Sequence, residues 1–505
     1  MNFLSFLVSS KGLGVIASIL VSVWVGRMIL KKHKPQAILF LAGITLFLLV
    51  IIISMIFGEP PKIIGNPNFP PVHILNRVRT LDNAFLDIFV SIEGIFSNRV
   101  AGLGLLIMAV MGFVKYMDSI GANKSLVRIG VKPLQFIKNP YIVLVLAFLV
   151  GQTMKMAITS AAGLGVLLMA TMYPILLRLG VSRAAATSVI ATTGCIDLGP
   201  AAGIGVAIAE SAGILTSDGK ADMATYFLKY QLPVAVPVLA TVAFLHFIVQ
   251  YLFDKKDGYV FKADPTVETI NYDDEKTPSY YAIFPLLPLF LVLFLNEMVI
   301  LEINKLLTFI GSSIVIPPKT IGLMAAVALS VFITMIIEYI RLRDARRVFD
   351  SIQTVFDGMG YAFATIVTLI VAGEVFASGL FATGSINTLL ESAKNSEVGV
   401  IPFTYFLQGL ITLSTLLMGS GDAAIFSFIS VGAVVAEHFG VETIAVIMPM
   451  QICSSLARAF SPITAVVVAV STIAGLSPVE VVKRTAIPMI GGIIVLTVVN
   501  TILFL

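Results

Sequence analysis

Gly194-Cys195-Ile196-Asp197-Leu198-Gly199-Pro200 sits in the middle of an apolar run, 182–215, that is longer than one membrane crossing needs. A second long run, 440–476, is interrupted by Ser454-Ser455-Leu456-Ala457-Arg458-Ala459-Phe460-Ser461-Pro462. Glycine and proline free backbone groups that lipid cannot satisfy. Such breaks persist at bilayer depth only where they face protein or a water-filled cavity. Two broken helices in one chain point to a helical membrane protein with a polar interior.

Composition agrees. The chain has 505 residues, of which 58% are hydrophobic and 12% charged, at a mean hydropathy of +0.99. Soluble domains carry about 25% charged residues. Apolar blocks near the ~20 residues of a transmembrane helix predict spans at 12–31, 36–57, 100–118, 230–253, 280–297, 319–340, 357–381 and 484–504, besides the two broken runs. The ~10-residue alternation of an outer-membrane barrel is absent. The net charge of +4 bears on orientation in the membrane, not on a nucleic-acid partner. Cys195 and Cys453 both lie in apolar stretches, which excludes a disulfide framework; the four histidines are scattered, and no metal-ligand cluster is visible. No Gly-x-x-x-x-Gly-Lys-Ser/Thr loop is present, which argues against ATP-driven transport. No His-Glu-x-x-His run or Gly-x-Ser-x-Gly elbow argues for an enzyme. The first apolar segment lacks a basic region before it and is read as a retained span rather than a signal peptide.

Basic residues set the sides. Lys31, Lys32 and Lys34, then Lys124, Arg128, Lys132 and Lys138, Arg178 and Arg183, Lys255, Lys256, Lys262 and Lys276, Arg341, Arg343, Arg346 and Arg347, and Lys483 with Arg484 all fall on the cytoplasmic side if 140–178 enters and leaves from there. That makes 140–178 a re-entrant hairpin. The same logic makes 400–438, flanked by Glu397 and Glu437, a hairpin from the outside, with both termini outward. The loop 58–99, with Arg77, Arg79 and Arg99, fits less well. Segment 81–97 is amphipathic and is expected at the interface or packed on other helices. The polar stretch 254–278 reads as a cytoplasmic linker.

The two halves overlay at an offset of 260 positions. Ile158-Thr159-Ser160-Ala161-Ala162-Gly163 faces Met418-Gly419-Ser420-Gly421-Asp422-Ala423, Gly180-Val181 faces Gly440-Val441, and with a two-residue gap Pro200 faces Pro462 and Ala212-Gly213 faces Ala474-Gly475. The expected organisation is residues 1–99 as N-terminal spans, 100–253 as the first inverted repeat, the linker, and 279–505 as the second repeat. Broken helices at the interface of inverted repeats are a transporter architecture with its site near the midplane. Hairpin tips and breaks would bring helix N-termini together, which suit carboxylates, and free carbonyls, which suit a cation. Small residues there also serve helix packing alone.

With those motifs in view, the sequence resembles the anaerobic C4-dicarboxylate carrier (DcuC-type) family of the ion transporter superfamily. The resemblance rests on Ser119-Ile120-Gly121-Ala122-Asn123, Lys132-Pro133-Leu134-Gln135, Ala162–Thr171 (Ala-Gly-Leu-Gly-Val-Leu-Leu-Met-Ala-Thr), Gly419-Ser420-Gly421, Ser461-Pro462 with Val466–Val470, and Glu480–Thr485. It implies uptake, efflux or exchange of fumarate, malate, succinate or aspartate across a bacterial inner membrane. It also implies a dimeric, elevator-like carrier with a scaffold and a moving transport domain. The chain departs from the family pattern at Asp422, where the pattern has Asn, in tip one, and in the first break, which carries Asp197.

The candidate site follows. Thr159, Ser160, Ala161, Gly163, Gly419, Ser420, Gly421, Arg458, Ser461 and Pro462 are candidates for substrate contact. Arg458 stands where the family motif has an arginine before Ser-Pro; it clamps a substrate carboxylate or pairs with Asp422 or Asp197. Asp197, Asp422, Gly194 and Ser454 are candidates for the coupling ion, either a proton or Na+ held at Asp422 and Asp197. An N-cap role for Asp422 is the structural alternative. Lys155 and Glu374, both at bilayer depth, are expected to have charge partners. Added carboxylates suit a substrate with an ammonium group, so an amino acid or another organic anion is the second expectation; a channel is a third.

Overall fold

The computed structural model describes residues 9–31, 33–58, 84–137, 139–216, 219–260, 277–310, 314–316, 321–385, 388 and 399–505. Lys32, Arg77, Arg79, Lys138, Lys262, Lys276 and Glu397, used above to orient the chain, lie outside them, as do residues 81–83 and most of the linker 254–278.

Among the described residues the secondary structure is helical, with one isolated bridge between Leu215 and Ala221. Ten helices among the described residues are long and apolar enough to cross a membrane, and a pair bent by 73°, Ser279–Phe294 with Val299–Phe309, makes up to eleven. The chain is a multi-pass membrane protein.

Three expectations from hydropathy change. The span expected at 100–118 is the second part of a 36-residue run, Ala84–Ser119, and the span expected at 357–381 is the second part of a 38-residue run, Ala345–Ala382. Each run contains a π-turn, at Val100–Gly104 and at Phe363–Val367. The charged residues of their first parts, such as Arg346, Arg347 and Asp350, hid the helix from an apolar window. The span expected at 280–297 is a 3-10 segment, Ser279–Leu286, then the helix Leu287–Phe294, after which the chain bends into Glu297–Phe309.

The order of elements occurs twice. Helices open at Ala84, Pro140, Ala161, Arg183 and Gly203, and again at Ala345, Val400, Gly421, Thr443 and Ala465, each 260 to 262 positions further on. The chain divides into two compact units: Met1–Leu105 with Phe363–Ser454 and Leu503–Leu505, and Leu106–Ala362 with Ser455–Ile502.

In the first unit, the helix Pro35–Phe57 lies along Thr368–Ala382. Gly379 makes the approach possible, since a Cβ there would stand 2.8 Å from Leu46 Cβ and 3.0 Å from the Gly43 carbonyl. Phe47 and Ile51 meet Val371 and Val375, and Ala84–Arg99 adds Ile88, Ile92 and Ile95 to the same core. These isoleucines recur at helical spacing, so of the two readings of 81–97 its described part follows packing on helices. The second hairpin is Val400–Met418 and Gly421–Phe439, joined by Gly419 and Ser420 alone.

In the second unit, the first hairpin is Pro140–Lys155 and Ala161–Arg178, joined by residues 156–160. Asn139 and Ser160 cap its two helices through the backbone N–H of Ile142 and of Gly163. Gly165, in the motif Ala162–Thr171, lets Ala465–Ala474 approach: a Cβ would meet Val466 at 3.0 Å and Val470 at 3.2 Å. The motif Ser119–Asn123 has a packing role as well. Gly121, at φ +77°, lies against Thr277, and Arg128 donates to the Thr277 carbonyl at 3.0 Å and to Ser279 Oγ at 3.3 Å.

A polar chain ties three helices of this unit. Arg484 donates to Asp254 at 2.7 Å, to Asp257 at 2.6 Å and to Gln250 Oε1 at 3.3 Å. Ser182, which caps Arg183–Thr192, donates to Asp254 at 2.8 Å. Gln250 also reaches His246, whose other ring nitrogen lies 2.9 Å from Thr192 Oγ1.

Candidate functional site

The first broken helix is Arg183–Thr192 and Gly203–Ser211, and the open segment between them falls on the glycines and proline of 194–200. An open segment at this depth needs partners for its backbone. Two glutamines supply them. Gln152 donates to the Ile196 carbonyl at 2.8 Å and accepts from its N–H at 3.4 Å. Gln231 donates to the Asp197 carbonyl at 2.9 Å and accepts from the Gly199 N–H at 3.1 Å. Each side-chain amide does what a neighbouring peptide would do in a regular helix. Gly199, at φ +103°, turns the chain where a side chain would be strained.

The second broken helix differs from its sequence reading. The break was expected across Ser454–Pro462, but the helix Thr443–Arg458 runs through the serines and opens only at Ala459. Ser454 donates its hydroxyl to the Gln451 carbonyl at 2.8 Å, one helical turn back. Thr464 closes the break by donating to the carbonyls of Arg458 at 2.9 Å and Ser461 at 3.0 Å. Pro462 stands in that turn.

Lys155, Asp197 and Arg458 meet in the second unit. Lys155 Nζ is 2.6 Å from Asp197 Oδ1 and 2.5 Å from the Thr159 carbonyl of tip one. Arg458 Nη2 is 3.1 Å from Asp197 Oδ2 and 2.9 Å from the Gly194 carbonyl. Ser455 Oγ also donates to Oδ2, at 3.0 Å. Gly194 leaves room for the lysine stem: a Cβ there would crowd Ala161 at 3.2 Å and Lys155 at 3.4 Å. The lysine side chain is 1% exposed, the aspartate 7% and the arginine 14%. Of the three side chains the arginine is the most accessible.

Both carboxylate oxygens of Asp197 accept from cationic groups, and a further cation there would meet repulsion from an ammonium and a guanidinium within a few ångströms. For the same reason Asp197 is not placed to receive a substrate ammonium group. Ser160 and Gly163 form the N-cap pair of tip one, with Ala161 opening its helix, while Thr159 contributes its carbonyl to Lys155.

Tip two lies in the first unit. Gly419, at φ +67°, ends one helix, and Ser420 caps the next by accepting from Ala423 N–H at 3.2 Å. The cap is therefore Ser420, not Asp422, which occupies the first turn of the helix, where a carboxylate is favoured by the helix dipole. Gly421 packs on the Ser454 backbone: a Cβ would fall 2.8 Å from the carbonyl oxygen and 3.2 Å from its carbon. A helix backbone cannot rotate away as a side chain can. Gly421→Val is expected to cost about 1–3 kcal/mol of overpacking, read as an earlier thermal unfolding midpoint of the purified protein; an unchanged midpoint would show that the contact is loose. Glu374, in the same unit, pairs with Arg99. That pairing accounts for one of the arginines that fitted the orientation poorly, since its charge is matched inside the protein.

Sequence reasoning named the charged members of the cluster but missed Gln152, Gln231, Ser455 and Thr464. A usable signal was there: Gln152 and Gln231 are polar residues within apolar helical runs, and such residues seek partners inside the membrane.

A model of the C4-dicarboxylate anaerobic carrier family matches residues 13–505. The chain belongs to that family. Its relatives include the probable anaerobic C4-dicarboxylate transporter DcuC of Vibrio cholerae serotype O1, 34% identical over 484 residues that cover 95% of this chain and 96% of the relative. The anaerobic C4-dicarboxylate transporter DcuC of Escherichia coli K12 is 31% identical over 488 residues, covering 96% and 95%. Among solved structures, MtrF of Neisseria gonorrhoeae superposes with a TM-score of 0.55 at 14% identity over 94% of this chain and 95% of that one. The YdaH transporter of Alcanivorax borkumensis gives 0.55 at 13% identity over 92% and 98%. At those identities the likeness is one of fold. This anaerobic carrier family is a family of transporters, not enzymes, and its match runs through both hairpins, both breaks and the Lys155–Asp197–Arg458 cluster.

Proposed function

We propose that this member of the family is a secondary active carrier of C4-dicarboxylates (fumarate, succinate, malate and aspartate) across the bacterial inner membrane, by exchange or by coupling to H+ or Na+. Membership over residues 13–505, with relatives named as C4-dicarboxylate transporters, carries the reading. The position of Arg458 supports it: a guanidinium at a helix break can hold a carboxylate with two hydrogen bonds.

The finer features are part of the same proposal. The doubled helix order supports two repeats, and the placement of basic residues supports their inversion, with 140–178 and 400–438 re-entering from opposite sides. By length the arms Ala161–Arg178, Val400–Met418 and Gly421–Phe439 also suffice to cross, so the re-entrant reading rests on charge. An elevator movement, a homodimer and membership of the wider ion transporter superfamily follow from the resemblance. Asp422 and Asp197 are the candidates for a coupling proton or Na+. A carrier of an amino acid or another organic anion, Na+-coupled, is the second reading; Asp422 favours it by adding a negative charge to tip two.

Counterflow in proteoliposomes separates these. Vesicles loaded with unlabelled succinate should accumulate external labelled succinate transiently. Fumarate, malate and aspartate should compete, and lysine or arginine should not. Competition by neutral or basic amino acids alone would select the second reading, and large ohmic currents without counterflow would select a channel. Asp422→Asn should alter the Na+ or pH dependence of the rate; an unaltered dependence removes Asp422 from coupling.

A further inference from the structure

From the polar chain behind the first break we infer that His246 is a positioning residue of the carrier. As the neutral imidazole protonated on Nε2 it donates to Thr192, and so fixes the end of the half-helix from which Gly194 reaches Arg458. This inference rests on the proposal that Arg458 meets the dicarboxylate.

The direction of the chain follows from which groups can only donate or only accept. A guanidinium has no acceptor, so the Gln250 atom 3.3 Å from Arg484 Nη1 is its oxygen. A backbone carbonyl has no donor, so the Gln250 atom 3.1 Å from the Arg484 carbonyl is its nitrogen. That same nitrogen, with hydrogens alone to offer, lies 3.3 Å from His246 Nδ1. Nδ1 therefore presents its lone pair, and the ring proton sits on Nε2. Nε2 is 2.9 Å from Thr192 Oγ1, whose own hydrogen goes to the Val189 carbonyl at 2.8 Å. The other tautomer, or an imidazolium, would set N–H against N–H at Gln250. His246, Gln250 and Thr192 are fully buried, so bulk water cannot relieve such a clash.

The chain holds the half-helix Arg183–Thr192 at both ends. Its start is capped by Ser182, which donates to Asp254, and Asp254 is paired with Arg484. Its end is reached from the same arginine through Gln250 and His246. The last carbonyls of a helix have no partner within it, and such an end frays unless something outside holds it. Just beyond Thr192, the Gly194 carbonyl accepts from Arg458 at 2.9 Å, and Asp197 of the same break meets that nitrogen at 3.1 Å. A shift of the half-helix end therefore moves two contacts that aim the guanidinium. The imidazole also packs on Phe148, with ring centres 5.5 Å apart, so mere filling of space is the alternative to exclude.

His246→Gln and His246→Asn separate the two nitrogens. Glutamine carries an amide nitrogen to the Nε2 position, whereas asparagine ends near Nδ1 and falls short of Thr192. In proteoliposomes the apparent KM for labelled succinate should rise about tenfold in His246→Asn and no more than about threefold in His246→Gln, the scale of one buried hydrogen bond. Thr192→Val should raise it as His246→Asn does, and the two combined should do no more than either alone. In solid-state NMR with isotope-labelled histidine, the native signal that His246→Gln removes should show Nε2 protonated and Nδ1 bare. Equal KM values in the two histidine variants, a native KM in Thr192→Val, or a proton on Nδ1 overturns the inference. If the histidine variants have a collapsed thermal unfolding midpoint, Thr192→Val and the ring nitrogens of the native protein decide. If the native protein shows no saturable dicarboxylate uptake, the reading of its function has failed instead, and the NMR result judges the histidine by itself.

Discussion

Arg458→Gln should give a folded carrier that takes up labelled succinate at about one hundredth of the native rate. The loss follows from removing one partner of a charged hydrogen-bonded contact at low dielectric, a change of about 3 kcal/mol, and each 1.4 kcal/mol is about tenfold. Folding should survive, because Asp197 retains Lys155 at 2.6 Å and Ser455 at 3.0 Å. Uptake in proteoliposomes with a thermal unfolding midpoint measured on the same preparation checks both halves. Uptake near the native rate would show that Arg458 only braces the break, and a collapsed midpoint would show that its main part is structural.

The largest effect on stability is expected elsewhere. Arg484 is 4% exposed and reaches Asp254, itself 3% exposed, together with Asp257 and Gln250. Arg484→Met fills similar space but leaves Asp254 with neutral donors, the hydroxyls of Ser182 and Tyr141. Breaking a buried pair from one side costs about 3–5 kcal/mol because the stranded charge cannot regain water. Asp257, about half exposed, solvates readily and adds little. Because Ser182 also caps Arg183–Thr192, the damage should spread to the start of the first broken helix. The unfolding midpoint of Arg484→Met in detergent should fall by about 10 °C, on the usual conversion of a few degrees per kcal/mol. Arg484→Met/Asp254→Asn should recover much of the loss, since no bare carboxylate remains. A single variant as stable as native would show that Asp254 is solvated.

What could be read in the sequence was what local chemistry dictates. Glycine and proline marked the breaks at 194–200 and near 462, and serines 160 and 420 marked the helix starts of the two hairpins, because backbone groups at such points must be satisfied nearby. The doubled spacing could be read for the same reason: each marker sits at a helix end. Partnerships across the chain could not. Lys155 and Asp197 are 42 positions apart, and Arg458 is 261 further on. Several pairings of those charges were compatible with the spacing, and spacing alone does not show that Lys155 and Arg458 both reach Asp197. The same limit explains why Glu374 had no named partner before Arg99 was seen beside it. The second break was placed too early because Ser-Ser resembles a helix stop, while in the protein Ser454 bonds back along the helix.

The recurrence of helix starts has a further consequence. Shifted by the 260-position offset, Lys155 falls on Thr415, a fully buried neutral residue one turn before the other tip. Tip one is entered through five residues and tip two through two. If the halves descend from one duplicated ancestor, their backbones have kept the ancestral plan while their charges have drifted apart. A chimera carrying two copies of either half would keep the helix order and lose the pairing of lysine, aspartate and arginine, because the lysine and aspartate are inherited on one half and the arginine on the other.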